Sequence, residues 1–179
     1  MKGIVFTELL EMIEAKFGYA TVDELLNETD LPSKGIYTVI GTYDHSELIT
    51  LVTKLSEKID IPVPDLVYAF GRHLFIVFTK NYAHFFSQAT DAFDFLGSVE
   101  NYIHAGVKKL YPDAQLPHFE ITRRTDKKLE MIYSSHRKMA DFAHGLIDEC
   151  LAYYNEAAEV SITPLTEDGS HVVFEIIKK

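Results

Sequence analysis

The stretch Leu129-Glu130-Met131-Ile132-Tyr133-Ser134-Ser135-His136-Arg137 decides how the rest of this chain is read. Its first half reads as a strand, and in an extended backbone residues two apart share a face. Tyr133, Ser135 and Arg137 are therefore expected to point the same way. Two hydroxyl donors and a guanidinium fork make a site for a carboxylate or phosphate. The same triplet also suits an edge strand whose polar face simply meets water, because exposed polar residues need no special explanation.

Outward from that strand, His118 to Arg124 and Lys128 to Tyr133 form an expected hairpin around Thr125-Asp126-Lys127. A long helix is expected from about Arg137 to Asn155. Val160 to Leu165 and His171 to Ile177 then make a second hairpin, with Asp168-Gly169 as its turn. Upstream of Pro117 the period is helical. Ile4, Val5, Leu9, Met12, Ile13 and Phe17 recur at helical spacing, and Gly18 is a natural stop. Thr21-Val22-Asp23-Glu24 has capping-box spacing, and Asp44 with Glu47 repeats it before Leu48, Leu51, Val52, Leu55 and Ile59. Pro64 suits a first helical turn, followed by an apolar stripe of Leu66, Phe70, Leu74 and Phe78. A further helical run spans about Thr90 to Tyr111, with Gly97-Ser98 a candidate interruption and Pro112 a stop. Helices followed by β-β-α-β-β predict an α+β fold with an antiparallel sheet. The 179 residues are expected to form one domain, a helical part over about 1–60 and a second part over about 61–179.

Composition narrows the function. Seventeen basic against 27 acidic residues leave a formal charge of −10. That balance argues against a nucleic-acid face, which needs a basic stripe, and against docking on anionic lipid. Cys150 is the sole cysteine, so no internal disulfide or thiolate metal cage forms; its setting reads as a small core residue. No apolar run approaches the ~18 residues of a membrane span, and Met1-Lys2-Gly3 leads directly into an amphipathic pattern. A cytoplasmic protein without a signal peptide is expected.

The eight histidines contain no HExxH and no close pairing with cysteine, so a structural zinc site is not expected. His104 differs in context, sharing a helical face with Phe93, Gly97, Val107 and Tyr111. By itself such a histidine is ordinarily a satisfied core imidazole. A haem, however, needs an axial imidazole and a polar clamp for two propionates inside an apolar pocket. His104 and the Tyr133/Ser135/Arg137 triplet are candidates for those two parts.

Taken together, Met1-Lys2-Gly3, His104, Pro117 and the Tyr-x-Ser-x-Arg of 133–137 resemble the H-NOX family, the haem-nitric oxide/oxygen binding domains related to the haem domain of soluble guanylate cyclase. The resemblance covers essentially the whole chain. It implies haem b (iron protoporphyrin IX) held between helices and sheet, cradled by the part from about 61 onward. His104 matches the proximal haem ligand, and Tyr133, Ser135 and Arg137 match the propionate clamp. Pro117 matches a proline that presses on the macrocycle; read alone it is an ordinary loop proline before a strand.

The family's distal positions fall on Val5, Leu9, Leu74, Phe78, Phe142 and Leu146, all apolar. Oxygen-binding members carry tyrosine at the position of Phe142. A buried hydrogen bond to a charged acceptor is worth about 1.5–3 kcal/mol, roughly ten- to more than a hundredfold in affinity. Dioxygen at ferrous iron takes on such charge and nitric oxide depends on it far less, so a dry pocket favours nitric oxide. None of the ten tyrosines sits at a matched distal position, although Tyr19, Tyr43, Tyr68 or another is free to reach in.

The resemblance thus implies a sensor of nitric oxide, also able to bind carbon monoxide, that breaks the iron–His104 bond and signals to a separate effector. In bacterial members the effector is a histidine kinase or an enzyme making or degrading cyclic di-GMP. No catalytic constellation is present, so an enzyme is not expected. The family's occasional C-terminal Cys/His zinc site is not carried over, because Ser161 to Phe174 has His171 and no cysteine. The rival readings are a haem-based oxygen or redox sensor and a haem-free anion-binding module built on the triplet.

Overall fold

The computed structural model describes residues 1–179. Its N-terminal part is helical: α1 (Gly3–Phe17), α2 (Tyr19–Glu28), α3 (His45–Ile59) and α4 (Val63–Asn81). Gly18 closes α1 at a φ of +88°, conformational space that glycine enters without a side-chain clash. The capping box expected at Thr21 does not form. Helix α2 already begins at Tyr19, and the Thr21 hydroxyl instead donates back to the Phe17 carbonyl at 2.9 Å. Asp44 does cap α3, accepting from Ser46 N at 2.8 Å. Glu47 turns inward and accepts from Tyr37 at 3.0 Å and from the Ser33 hydroxyl, which satisfies a buried carboxylate.

Beyond α4 come α5 (Ala83–Phe86), α6 (Ala92–Ser98), a π-helical segment (Val99–His104) and α7 (Ala105–Leu110). The break anticipated at Gly97-Ser98 is therefore real, and it takes the form of a widened turn rather than a gap in the helix. Four strands follow: β1 (His118–Arg124), β2 (Lys128–Ser134), β3 (Ala158–Pro164) and β4 (His171–Lys178), with α8 (Ala140–Tyr153) between β2 and β3. The sheet is antiparallel in the order β1-β2-β4-β3. This is the α+β fold the pattern predicts. Period-two alternation buries Leu129, Met131 and Tyr133 of β2 and Val172, Phe174 and Ile176 of β4 on the face that α8 covers with Ala143, Ile147 and Cys150.

β2 covers the expected strand, but the extended backbone that would carry the alternation from Tyr133 on to Arg137 does not form. β2 stops at Ser134, and a tight turn follows in which Lys138 N donates to the Ser135 carbonyl at 3.2 Å. Lys138 has a φ of +55°, outside helical space, so α8 starts at Ala140 rather than near Arg137. Tyr133, Ser135 and Arg137 therefore do not share a face by strand alternation.

Two apolar clusters fill the molecule. One joins α1, α2, α3 and the first turns of α4, and the other joins the sheet, α8, α6 and Phe75. Helices α4 and α8 cross between them in backbone contact. A β-carbon at Gly71 would stand 2.3 Å from the Phe142 carbonyl oxygen, and one at Gly145 would stand 2.1 Å from that of Tyr68. Such contacts require glycine. No single helix is long and apolar enough to cross a membrane.

Overpacking a tight contact typically costs 1–3 kcal/mol. Gly145→Ala is accordingly expected to lower unfolding stability by about that amount. A urea midpoint unchanged from the parent protein would show that the crossing yields more easily than this geometry allows.

Candidate functional site

A cavity of 620 Å³ lies between the helical part and the sheet, within the size range of pockets for small molecules and cofactors. Of its 37 lining residues 27 are hydrophobic, so its polar groups are few and their placement is informative. His104, Pro117, Tyr133, Ser135 and Arg137 all line it, as do Val5, Leu74, Phe78, Phe142 and Leu146. Leu9 does not. It is 1% exposed and packs inside the cluster of α1 to α4, one helical turn behind Val5. The sequence places both residues on one apolar helix face, and only the packing separates a wall residue from a core residue.

His104 ends the π segment with its side chain 12% exposed. Its Nδ1 is 3.1 Å from Glu100 Oε2, which leaves Nε2 as the nitrogen without a protein partner. Burial depresses the imidazole's proton affinity, and Glu100 offsets part of that effect. Glu100 itself is pushed up by burial. The donors around it, from His118, Phe119 N and His104, outweigh that and hold its carboxyl below the usual range.

The polar triplet meets in the same cavity through the turn. The Tyr133 hydroxyl accepts from Met139 N at 3.2 Å and keeps its own proton to donate; burial pushes its pKa up. Ser135 Oγ accepts from Arg137 N at 3.2 Å and likewise retains a donor proton. Arg137 Nε is buried without any hydrogen-bond partner, and burial lowers the guanidinium's proton affinity. An unpaired buried donor of this kind is costly and calls for an anion.

Three features of the cavity were not legible beforehand. Tyr82 and Tyr111 line it beside Tyr43, which the sequence left free to reach in, while Tyr19 and Tyr68 do not, so the walls are less uniformly apolar than the six matched distal positions suggest. Tyr82 lies one turn beyond Phe78; burial and the neighbouring Tyr111 hydroxyl push its pKa up. The first residues are stitched into the cavity rim. Gly3 N donates to Gly41 O at 2.8 Å, Tyr43 N donates to Met1 O at 2.9 Å, and Lys2 pairs with Asp113 at 3.3 Å. A β-carbon at Gly3 would fall 1.8 Å from Thr38 O, a physical reason for glycine in Met1-Lys2-Gly3. Glu100, finally, was not singled out. Its spacing of four from His104 was the available signal, and it is ambiguous because carboxylate–histidine pairs at that spacing are common on helices.

Comparison with known proteins agrees with this arrangement. Residues 2–162 match the family described as Haem-NO-binding. The H-NOX protein of K. algicida, solved in its Fe(II) unliganded state, is 40% identical with a TM-score of 0.96, over 100% of this chain and 97% of that one. The Shewanella woodyi H-NOX in its Fe(II)CO state is 44% identical with a TM-score of 0.86, over 100% and 95%. An S. oneidensis H-NOX in its Fe(II)NO state is 26% identical with a TM-score of 0.92, over 100% and 99%. No match was found among curated proteins. The chain belongs to the haem-NO-binding, or H-NOX, family, whose members are haem-based gas-sensing domains.

The residues present fit a haem. The cavity combines the largely buried His104 imidazole with its free Nε2, apolar walls, and an orphaned guanidinium nitrogen beside two hydroxyls, which suits a flat apolar body carrying carboxylates; His45 also lines it, with its Nδ1 against Asp44. Because Arg137 Nε is unpaired in the protein alone, Arg137→Met is expected to raise the urea midpoint of the haem-free protein while weakening haem retention. A fall in both would mean that Arg137 serves the fold rather than the ligand.

Proposed function

We propose that this protein is a nitric oxide sensor whose haem iron is held by His104. The observation that carries the reading is a largely buried imidazole with a free Nε2 in the same apolar cavity as an arginine whose Nε has no partner. When bound, the haem would supply a ferrous iron able to take up a diatomic gas. Tyr133, Ser135 and Arg137 would donate to its propionates, and Pro117 would press a rigid ring against it. Haem b is the type such a non-covalent site would take.

The chain's own residues set the selectivity. Phe142, Phe78, Leu74, Leu146 and Val5 offer no hydrogen-bond donor. A donor to a charged acceptor is worth about 1.5–3 kcal/mol, so a pocket without one forgoes roughly ten- to more than a hundredfold of dioxygen affinity. Nitric oxide, and carbon monoxide with it, depends on such a donor far less. Leu9 takes no direct part in this wall and acts by backing Val5. One observation favours the rival oxygen-sensor reading, namely that Tyr82, which carries a hydroxyl, lines the cavity. Its neighbour Tyr111 gives that hydroxyl somewhere else to point.

His104 would also carry the signal. Loss of its tether would release the π segment and α7, allowing the helical part, about 1–60, to shift against the haem-cradling part, about 61–179. One ligand biasing two arrangements is the physical requirement for a switch. We assign no catalysis to the domain. The effector would be a separate histidine kinase or cyclic di-GMP-metabolising enzyme, reached in the cytoplasm.

Optical spectra of the reduced protein test this reading. Nitric oxide is expected to yield the spectrum of a haem that has lost its histidine, and air is expected to yield no stable oxygen complex. A stable oxygen complex that disappears in Tyr82→Phe would transfer the protein to the oxygen-binding class. His104→Gly is expected to need added imidazole for normal haem coordination, and normal coordination without it would refute the ligand assignment. Phe142→Tyr alone is expected to leave dioxygen unbound, because a new hydroxyl must also be aimed.

A further inference from the structure

Glu100 stands at the junction of the π-helical segment and β1. Its Oε2 lies 3.1 Å from His104 Nδ1 and 3.1 Å from the backbone N of Phe119, while its Oε1 lies 3.1 Å from His118 Nδ1. The Phe119 N–H belongs to β1 and donates whatever the protonation of its surroundings. The carboxylate is therefore aimed by the sheet and not by the histidine it touches. An ionised carboxylate only accepts, so the imidazole must carry its proton on Nδ1 and present its lone pair at Nε2.

We propose that Glu100 is a positioning residue that sets both the aim and the donor strength of the His104 imidazole. This inference rests on the reading of His104 as the iron ligand. A carboxylate hydrogen-bonded to the far nitrogen of a ligating imidazole fixes its rotation and raises its basicity. The π-helical turn contributes by placing Glu100 and His104 on one widened turn directly over the first residues of β1. His118 is 60% exposed and touches only the outer oxygen, so it steadies the carboxylate without contacting His104. The consequence is a stronger iron–histidine bond than a neutral partner would produce, and a haem biased toward its ferric form.

Glu100→Gln separates charge from shape, since the amide oxygen can still accept from Phe119 N while the negative charge is gone. The experiment is resonance Raman spectroscopy of the ferrous holoprotein, with a redox titration of the same samples. Glu100→Gln is expected to lower the iron–histidine stretching frequency and raise the midpoint potential, whereas His118→Ala leaves both near the parent values. A purely structural brace would move neither, so unchanged readings in Glu100→Gln overturn the proposal. Should that variant lose haem, Glu100→Asp is read in its place. Its shorter arm withdraws the carboxylate from Nδ1, so a lowered frequency is expected and an unshifted one overturns the proposal. If the parent holoprotein shows no iron–histidine band, or the band survives in His104→Gly, the ligand assignment has failed instead.

Discussion

The glycine-on-carbonyl contact between α4 and α8 is the constraint from which the rest of this structure follows. Gly71 and Gly145 let the two backbones approach until any β-carbon would collide with a main-chain oxygen. At that separation Leu74 and Phe78 of one helix and Phe142 and Leu146 of the other converge on a single cavity wall. Each lies within about two turns of its glycine, so the crossing sets the distance between them. The same crossing joins the two apolar clusters, since α4 contributes Leu66, Phe70 and Leu74 to one and Phe75 to the other. A wider crossing would loosen the wall and separate the cores together.

The cavity is apolar over most of its surface, which gives its few polar groups disproportionate influence. Within it a hydrogen bond is strong and an unmet one is costly. Arg137 Nε is left unmet, while the Tyr133 and Ser135 hydroxyls are anchored by backbone donors and keep a proton each. His104 shows the opposite arrangement, with one nitrogen committed to Glu100 and the other free. These two arrangements are built by different irregularities, a tight turn after β2 and a π-helical turn after α6. Such departures from regular geometry recur where a fold must aim a side chain rather than merely bury it.

Much of the architecture was legible from pattern alone. Both hairpins, the order of helices and strands, the caps at Gly18 and Asp44, and the break after Gly97 follow from local chemistry. Where local reading failed, a competing partner had taken the group. Thr21 bonded backward to Phe17, Glu47 turned in to Ser33 and Tyr37, and Lys138 at positive φ delayed α8. All three residues of the triplet line one cavity, but a turn rather than strand alternation brings Ser135 and Arg137 there.

What the sequence by itself determined was the fold class, the family and the residue types able to meet a haem, because periodicity and a spaced motif are properties of the chain read in order. Tertiary structure alone decided that Leu9 backs the wall instead of forming it, that Tyr82 and Tyr111 line the cavity, and that Glu100 holds His104. Each of these depends on the angle and separation at which elements distant in sequence meet. Periodicity specifies which face of a helix is buried, but the packing of other helices and strands against that face specifies what each buried residue touches.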